Sequence, residues 1–383
     1  MITRRGLLLS LAAAEDYFPP PEGWRTRQGP SLDHLVDYNQ GSTRNGGLAV
    51  VHRGWLVYER YFGVAHRDAA PNLASCGKSV TSIAMGILMG QRPGLFPDRL
   101  KTKVYTPKYL PRVAFPLHET ERGNIQLGHL LSMTAGIRGN NPGFVMGREE
   151  RLDPEGPDGW EAMEDQMSVG RRDGSRNART MWCKPGQGYS YATSSIHLVS
   201  MIVRHLSGME LEEFVRMHLA GPLGWGRWGW GYRNRPLQHT PGGGGIALRA
   251  ADMLRFGYLL LRQGRWGNRQ IVPQWYAKAC GRLSPFNPHY PYSLQFTVNG
   301  DGHLKGVPRD AFWKAGSGGH CLYVIPSLDV VAWKLGGRDE QYDSANTGLE
   351  FTAQPGSARP EWKPSVTDQE ALVETLRLIV KAI

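Results

Sequence analysis

Cysteine is scarce and long hydrophobic runs are missing. Among 383 residues there are four cysteines, Cys76, Cys183, Cys280 and Cys321. They lie far apart, with neither a Cys-x-x-Cys pair nor a zinc-like Cys/His spacing, which argues against a disulfide framework and against a metal. No stretch approaches the ~20 apolar residues that a membrane-spanning helix needs. Charge of one sign is not concentrated either. Lys and Arg number 45 against 34 Asp and Glu, a formal +11, but the basic residues are scattered among acids apart from Arg171, Arg172, Arg176 and Arg179 in one polar stretch. A nucleic-acid binder gathers its charge on one face or carries a recognisable reading module, so no nucleic-acid partner is expected. Heptads, collagen periods and solenoid repeats are also lacking. What is present, 40% apolar residues and 12 Trp, suits a compact globule with a large core.

The chain begins with Thr3-Arg4-Arg5, a short apolar run and Ala12-x-Ala14. That order fits a twin-arginine export signal spanning 1–14. Export to the periplasm is the expectation, with a frayed cytoplasmic segment as the alternative. Cleavage after Ala14 would remove Arg4 and Arg5 and lower the formal charge from +11 to +9.

Two β-branched and aromatic runs, 48–52 and 55–62, flank Arg53-Gly54 and read as a hairpin. After Pro71 the apolar period becomes helical: Val80, Ile83, Ala84, Ile87 and Leu88 predict a buried helix over about 75–89. Helical patterns follow at 125–133, 196–206, 211–219 and 253–262. Strand-like runs occupy 292–298, 321–325 and 330–335, the last two joined by the turn Pro326-Ser327-Leu328-Asp329. Thr367-x-x-Glu370 is a capping box that opens a final helix with Leu372, Leu376, Ile379, Val380 and Ile383 on one face. Strands at both ends with helices between them predict an α+β fold. One sheet is assembled from N- and C-terminal segments, about 15–90 and 240–383, beside a mostly helical insertion over about 91–239.

The first chemical candidate is Ser75-Cys76-Gly77-Lys78. A serine and a lysine three apart at a helix start share one face. There the helix dipole and an amine can activate the hydroxyl. Alone, this spacing equally describes a capping serine and a surface lysine. Gly77-Lys78-Ser79 resembles the end of a P-loop, but Asn72 stands where that pattern needs Gly. Gly188-Tyr189-Ser190-Tyr191-Ala192 lacks the last Gly of a nucleophile elbow. Two distant segments support Ser75: Pro185 to Thr193, with Tyr191 and Thr193 two apart before a helix, and Trp313-Lys314-Ala315-Gly316-Ser317-Gly318-Gly319-His320 before a strand.

In that order and spacing, the three segments resemble the serine β-lactamase-related superfamily: class C β-lactamases, DD-peptidases, family VIII carboxylesterases and nylon-oligomer hydrolases. Supporting stretches are His129–Ile137, Gly242–Gly245 and Arg255-Phe256-Gly257. The resemblance implies a β-lactamase/DD-peptidase-like fold without cofactor. It makes Ser75 the nucleophile, Lys78 its partner amine, Tyr191 the tyrosine of the Tyr-x-Asn motif and Lys314-Ala315-Gly316 the counterpart of Lys-Thr-Gly. The backbone N–H groups of Ser75 and Ser317 would form the oxyanion hole. Trp313, Thr193, Ala315 and Gly316 would contact substrate, and Lys314 would hold a substrate carboxylate or tune Tyr191. Two lysines beside a phenol favour its anion, so Lys78 and Tyr191 are read as one coupled base.

Two departures bear on the substrate. Thr193 replaces the Asn and Ala315 the Thr of these motifs, removing an amide and a hydroxyl that serve β-lactams. The expected activity is therefore hydrolysis of a small ester or linear amide rather than efficient penicillin cleavage. A sensor that acylates without turnover is the alternative. The polar stretch 138–179 and the Trp-rich 224–230 are candidate cleft walls, with core packing the competing role for the tryptophans. Cys76 should point away from Lys78, and His320 reads as a packing residue.

Overall fold

The computed structural model describes residues 17–111, 117, 120–137, 143–145, 148–150, 181–231, 239–349 and 362–383. The export-signal segment 1–14 lies outside the described residues. So does the candidate cleft wall 138–179, apart from the backbone of two short strands, Gly143–Val145 and Arg148–Glu150.

The centre of the molecule is a seven-stranded antiparallel sheet. Its strands are β1 (Gly46–His52), β2 (Trp55–Phe62), β3 (Tyr292–Ser293), β4 (Phe296–Val298), β5 (Phe312–Gly316), β6 (His320–Ile325) and β7 (Val330–Leu335), in the order β3-β4-β5-β6-β7-β1-β2. The N-terminal hairpin thus pairs with the last strand, Gly47 opposite Leu335 and His52 opposite Val330. Arg53 and Gly54 both take positive φ, 51° and 75°, the backbone a two-residue hairpin turn requires.

The sheet is covered on both faces, so β1, β6 and β7 are buried along their lengths up to the half-buried His52, with His320 and Lys334 the polar residues among them. The two-residue period sorts their side chains between two cores. Ala49, Val51, Leu322, Val324, Val331 and Trp333 face the larger one. Leu48, Val50, Tyr323, Ile325, Val330 and Ala332 face the smaller, closed by α1 (Asp33–Asn39) and the C-terminal helix α5 (Asp368–Ala382). The Thr367 hydroxyl accepts the Glu370 N–H at 3.2 Å and the Glu370 carboxylate accepts the Thr367 N–H at 3.0 Å, completing the expected capping box.

On the larger core lie α2 (Gly77–Gln91), α3 (Thr193–Ser207) and α4 (Ala250–Leu261). Every residue of α2 from Gly77 to Met89 is buried, because this helix runs between the sheet side and the helical insertion. The fold is the expected α+β arrangement, with four local differences. Ser75 sits in a 3-10 turn, Ala74–Cys76, ahead of the α-helix. The 125–133 pattern yields a helix only over Leu127–Leu131, because Ser132 and Thr134 tie the chain off to Ser284 and the Phe286 carbonyl. The 211–219 pattern passes from an α-helix into a π-helix, Arg216–Ala220. The 292–298 run is two strands, bent at Leu294 and Gln295, both with positive φ.

The tryptophans of 224–230 are core rather than cleft wall. Trp225, Trp228 and Trp230 are all buried, and Trp228–Trp230 pairs as a strand with Ile246–Leu248.

α4 sits on the sheet through Gly257, where a Cβ would lie 2.5 Å from Val331 Cγ1 and 2.8 Å from Leu322 Cδ1. Both branched neighbours are fully buried in the larger core. Gly257→Ala should therefore destabilise the protein by about 1–3 kcal/mol through overpacking. Chemical denaturation measures this, and a stability equal to wild type would mean that α4 is not seated this closely.

Candidate active site

The chain reaches α2 through a strained turn. Ala74 has φ +47°, uncommon for a residue with a Cβ. Its N–H is held by Asn72 Oδ1 at 2.9 Å, and the Cys76 N–H by the Leu73 carbonyl at 3.1 Å. Strain of this kind persists only where the surroundings over-determine it. Here it leaves Ser75 half-exposed at the start of a buried helix.

Lys78, in the first turn of α2, has its Nζ 3.1 Å from Ser75 Oγ and donates to the Gly243 carbonyl at 2.6 Å. That carbonyl belongs to the Gly242–Gly245 loop. The loop is held by Thr81, which donates to Gly242 O at 2.7 Å, and by Trp230, whose indole donates to Gly244 O at 2.6 Å. Burial drives the Lys78 pKa down and Lys314 adds to the fall, while Tyr191 opposes it.

Tyr191 lies just before α3, and Lys314 projects from β5 towards it, Nζ 3.2 Å from the phenol oxygen. The Lys78 and Lys314 nitrogens each stand 5.1 Å from the centre of the Tyr191 ring. Burial alone would raise this phenol. The two ammonium groups and hydrogen bonds with Ser75 and Lys314 outweigh it and bring Tyr191 down to about 8. Ser75 and Lys78, Tyr191, and Lys314, from three segments far apart in sequence, form one cluster.

Two members of this network carried no motif. Lys314 also donates to Tyr292 Oη at 2.7 Å; the Tyr292 hydroxyl donates to Gln295 Oε1 at 3.1 Å, and Gln295 Nε2 donates to Leu131 O at 2.8 Å. Burial and the neighbouring Tyr191 push Tyr292 well above the ordinary phenol range. One lysine thus touches two tyrosines whose pKa values are shifted in opposite directions, and of the two phenols Tyr191 is the one that ionises near neutrality.

Gly316 closes the cluster at the end of β5. A Cβ there would collide with the Leu73 carbonyl and come within 3.1 Å of the Cys76 nitrogen, so only glycine lets the strand approach the Ser75 turn. Ser317, next in the chain, is exposed. Strand alternation corrects one expectation. Trp313 lies on the opposite face of β5 from Lys314, 8% exposed in the smaller core, and does not contact the cleft. Ala315 packs against that same core and stays half-buried. Thr193 opens α3 half-buried and makes no hydrogen bond to Ser75, Lys78, Tyr191 or Lys314.

Cys76 is no rival nucleophile. Its thiol is buried 3.4 Å from the Lys314 carbonyl, and burial pushes it up to about 12 despite the two lysines. His320 is likewise buried. Desolvation and Lys334 bring it down to about 3, so its ring stays neutral. Among the described residues no group of three or more His, Cys, Asp or Glu is placed to hold a metal ion.

A sheet built from both ends of the chain, a buried helix behind a Ser-x-x-Lys turn and a lysine on the strand facing it are the architecture of the β-lactamase-fold hydrolases. Residues 32–353 match the model of the Beta-lactamase family, to which the chain belongs. No curated protein matches its sequence. Among solved structures it resembles a protein of Bacteroides dorei DSM 17855 assigned as a β-lactamase, with TM-score 0.63, 18% identity and coverage of 92% of this chain and 99% of the other. A protein of Bacillus anthracis assigned as a 6-aminohexanoate-dimer hydrolase aligns with TM-score 0.61, 20% identity and coverage of 95% and 89%. EstCE1, a hydrolase with promiscuous acyltransferase activity, gives 0.61, 16%, 90% and 96%. At these identities the likeness is one of fold.

The electrostatics of Tyr191 can be measured directly. Ultraviolet titration of wild type should show one phenol ionising near 8. In Lys314→Met that midpoint should rise, since a nearby cation favours the phenolate. An unchanged midpoint would mean that Lys314 does not tune Tyr191.

Proposed function

We propose that the protein is a serine hydrolase that cleaves an ester or linear amide through an acyl-Ser75 intermediate. The observation that carries this reading is the Ser75, Lys78, Tyr191 and Lys314 cluster, with the Tyr191 phenol drawn down to about 8. Serine is a poor nucleophile until a base takes its proton, and a phenolate at this pKa, hydrogen-bonded to Ser75, supplies that base near neutral pH.

Ser75 Oγ attacks the substrate carbonyl carbon and its proton passes to Tyr191. The negative oxygen that forms is stabilised by the backbone N–H groups of Ser75 and Ser317. When the tetrahedral species collapses, the bond to the leaving alcohol or amine breaks and Tyr191 returns the proton to it. Water, deprotonated by Tyr191, then attacks the acyl carbon and releases the acid and Ser75. Lys78 and Lys314 hold the phenolate through these steps, and Lys314 is also the group placed to meet a substrate carboxylate.

Thr193 in place of Asn, which removes a side-chain amide two residues after Tyr191, favours esters and linear amides over β-lactams. The functions named for the Bacillus anthracis protein and EstCE1 lie in the same direction.

Activity on p-nitrophenyl butyrate should disappear in Ser75→Ala while the folded state persists, and Tyr191→Phe should slow acylation by about 100- to 10,000-fold. For wild type, kcat/KM should fall as pH drops through about 8, because the active form is the deprotonated phenol. Near-wild-type turnover by Ser75→Ala would refute the nucleophile. A stable acyl adduct without product would identify a sensor instead.

A further inference from the structure

We propose that Gln341 is the positioning residue of the oxyanion hole, holding in register the two turns that carry the Ser75 and Ser317 N–H groups. The inference rests on the Ser75 hydrolase reading. Gln341 lies in the short 3-10 segment Asp339–Tyr342, just beyond β7. Its Nε2 donates to the Asn72 carbonyl at 2.9 Å and to the Ser317 carbonyl at 3.1 Å, while its Oε1 accepts the Arg338 N–H at 3.0 Å. Both amide protons and the amide oxygen are thereby used, which fixes the orientation of the side chain. One planar amide spans the two halves of the site.

The contacts around it serve the same two turns. Asn72 donates its N–H to the Gln341 carbonyl at 2.7 Å and its Nδ2 to the Asn346 carbonyl at 2.9 Å, while its Oδ1 holds the Ala74 N–H of the strained turn. On the other side, every carbonyl of Ser317-Gly318-Gly319 is held from behind: Ser317 by Gln341, Gly318 by the Gly337 N–H at 2.8 Å and Gly319 by Lys334 Nζ at 2.8 Å. Gly318 has φ +89°, and a Cβ there would collide with Gln341 Oε1. The His320 ring accepts the Gly336 N–H at Nδ1, 3.1 Å, so its neutral form carries the proton on Nε2, beside Gln341 and the Asn72 backbone. None of these contacts reaches Lys78, Tyr191 or Lys314. Gln341 can therefore affect the oxyanion donors without touching the base.

The test uses the full chain with Gln341→Met, which keeps the length and removes all three hydrogen bonds, and Gln341→Glu, which keeps the acceptor for Arg338 and removes both donors. On p-nitrophenyl butyrate, kcat should fall about 10- to 100-fold, the scale of a displaced oxyanion donor and below the about 100- to 1000-fold of one lost outright. KM and the pH midpoint of kcat/KM should stay at their wild-type values. In the unliganded protein, the Ser75 and Ser317 amide resonances should shift and exchange faster with solvent. Wild-type kcat in a folded variant would overturn the proposal, as would a loss of kcat accompanied by a moved pH midpoint, which would place the effect on Tyr191. The amide readout needs no turnover, so it decides the role of Gln341 even if Ser75→Ala remains active and the hydrolase reading falls.

Discussion

Two lysines buried against one phenol are the constraint on which the rest of the site depends. Lys78 and Lys314 are each about 2% exposed, and taking an ammonium out of water costs several kcal/mol unless it is paired and hydrogen-bonded. An unpaired pair of like charges in such a place would shed protons or unfold the site. Tyr191 relieves it by becoming easier to ionise. The Gly243 carbonyl accepts a further hydrogen bond from Lys78 and the Tyr292 hydroxyl one from Lys314.

The surrounding fold can be understood as what holds these charges in place. α2 fixes Lys78 three residues after Ser75, β5 delivers Lys314 from the opposite side, and glycine at 316 lets strand and turn meet. Behind Lys314, the Tyr292 and Gln295 relay ends on the Leu131 carbonyl in the helical insertion. The cluster therefore ties the sheet to the insertion. Removing either lysine should be felt in packing and in chemistry together, because the phenol and the amines share one set of hydrogen bonds.

Much of this was legible in the sequence because it rests on short spacings. Ser75 and Lys78, the hairpins around Arg53-Gly54 and Pro326–Asp329, and the capped final helix follow from local rules. Tyr292 and Gln295 did not, since their positions depend on a turn without glycine at Leu294 and Gln295 whose geometry is imposed by a tertiary hydrogen bond to Leu131. Gln341 escaped for a similar reason: its partners lie 269 and 24 residues away. The place of Trp313 in the core follows from a local rule as well. Once Lys314 is put in the cleft, the two-residue period of a strand sends its neighbour to the other face.

The most direct test of the central claim is where the acyl group goes. Wild type mixed with p-nitrophenyl butyrate and quenched in acid within the first turnovers can be digested and mapped by mass spectrometry. The proposed mechanism predicts a butyryl group on Ser75 that disappears as substrate is exhausted. Hydrolysis with no acylated peptide under rapid quench, or acyl transfer to a residue other than Ser75, would contradict it.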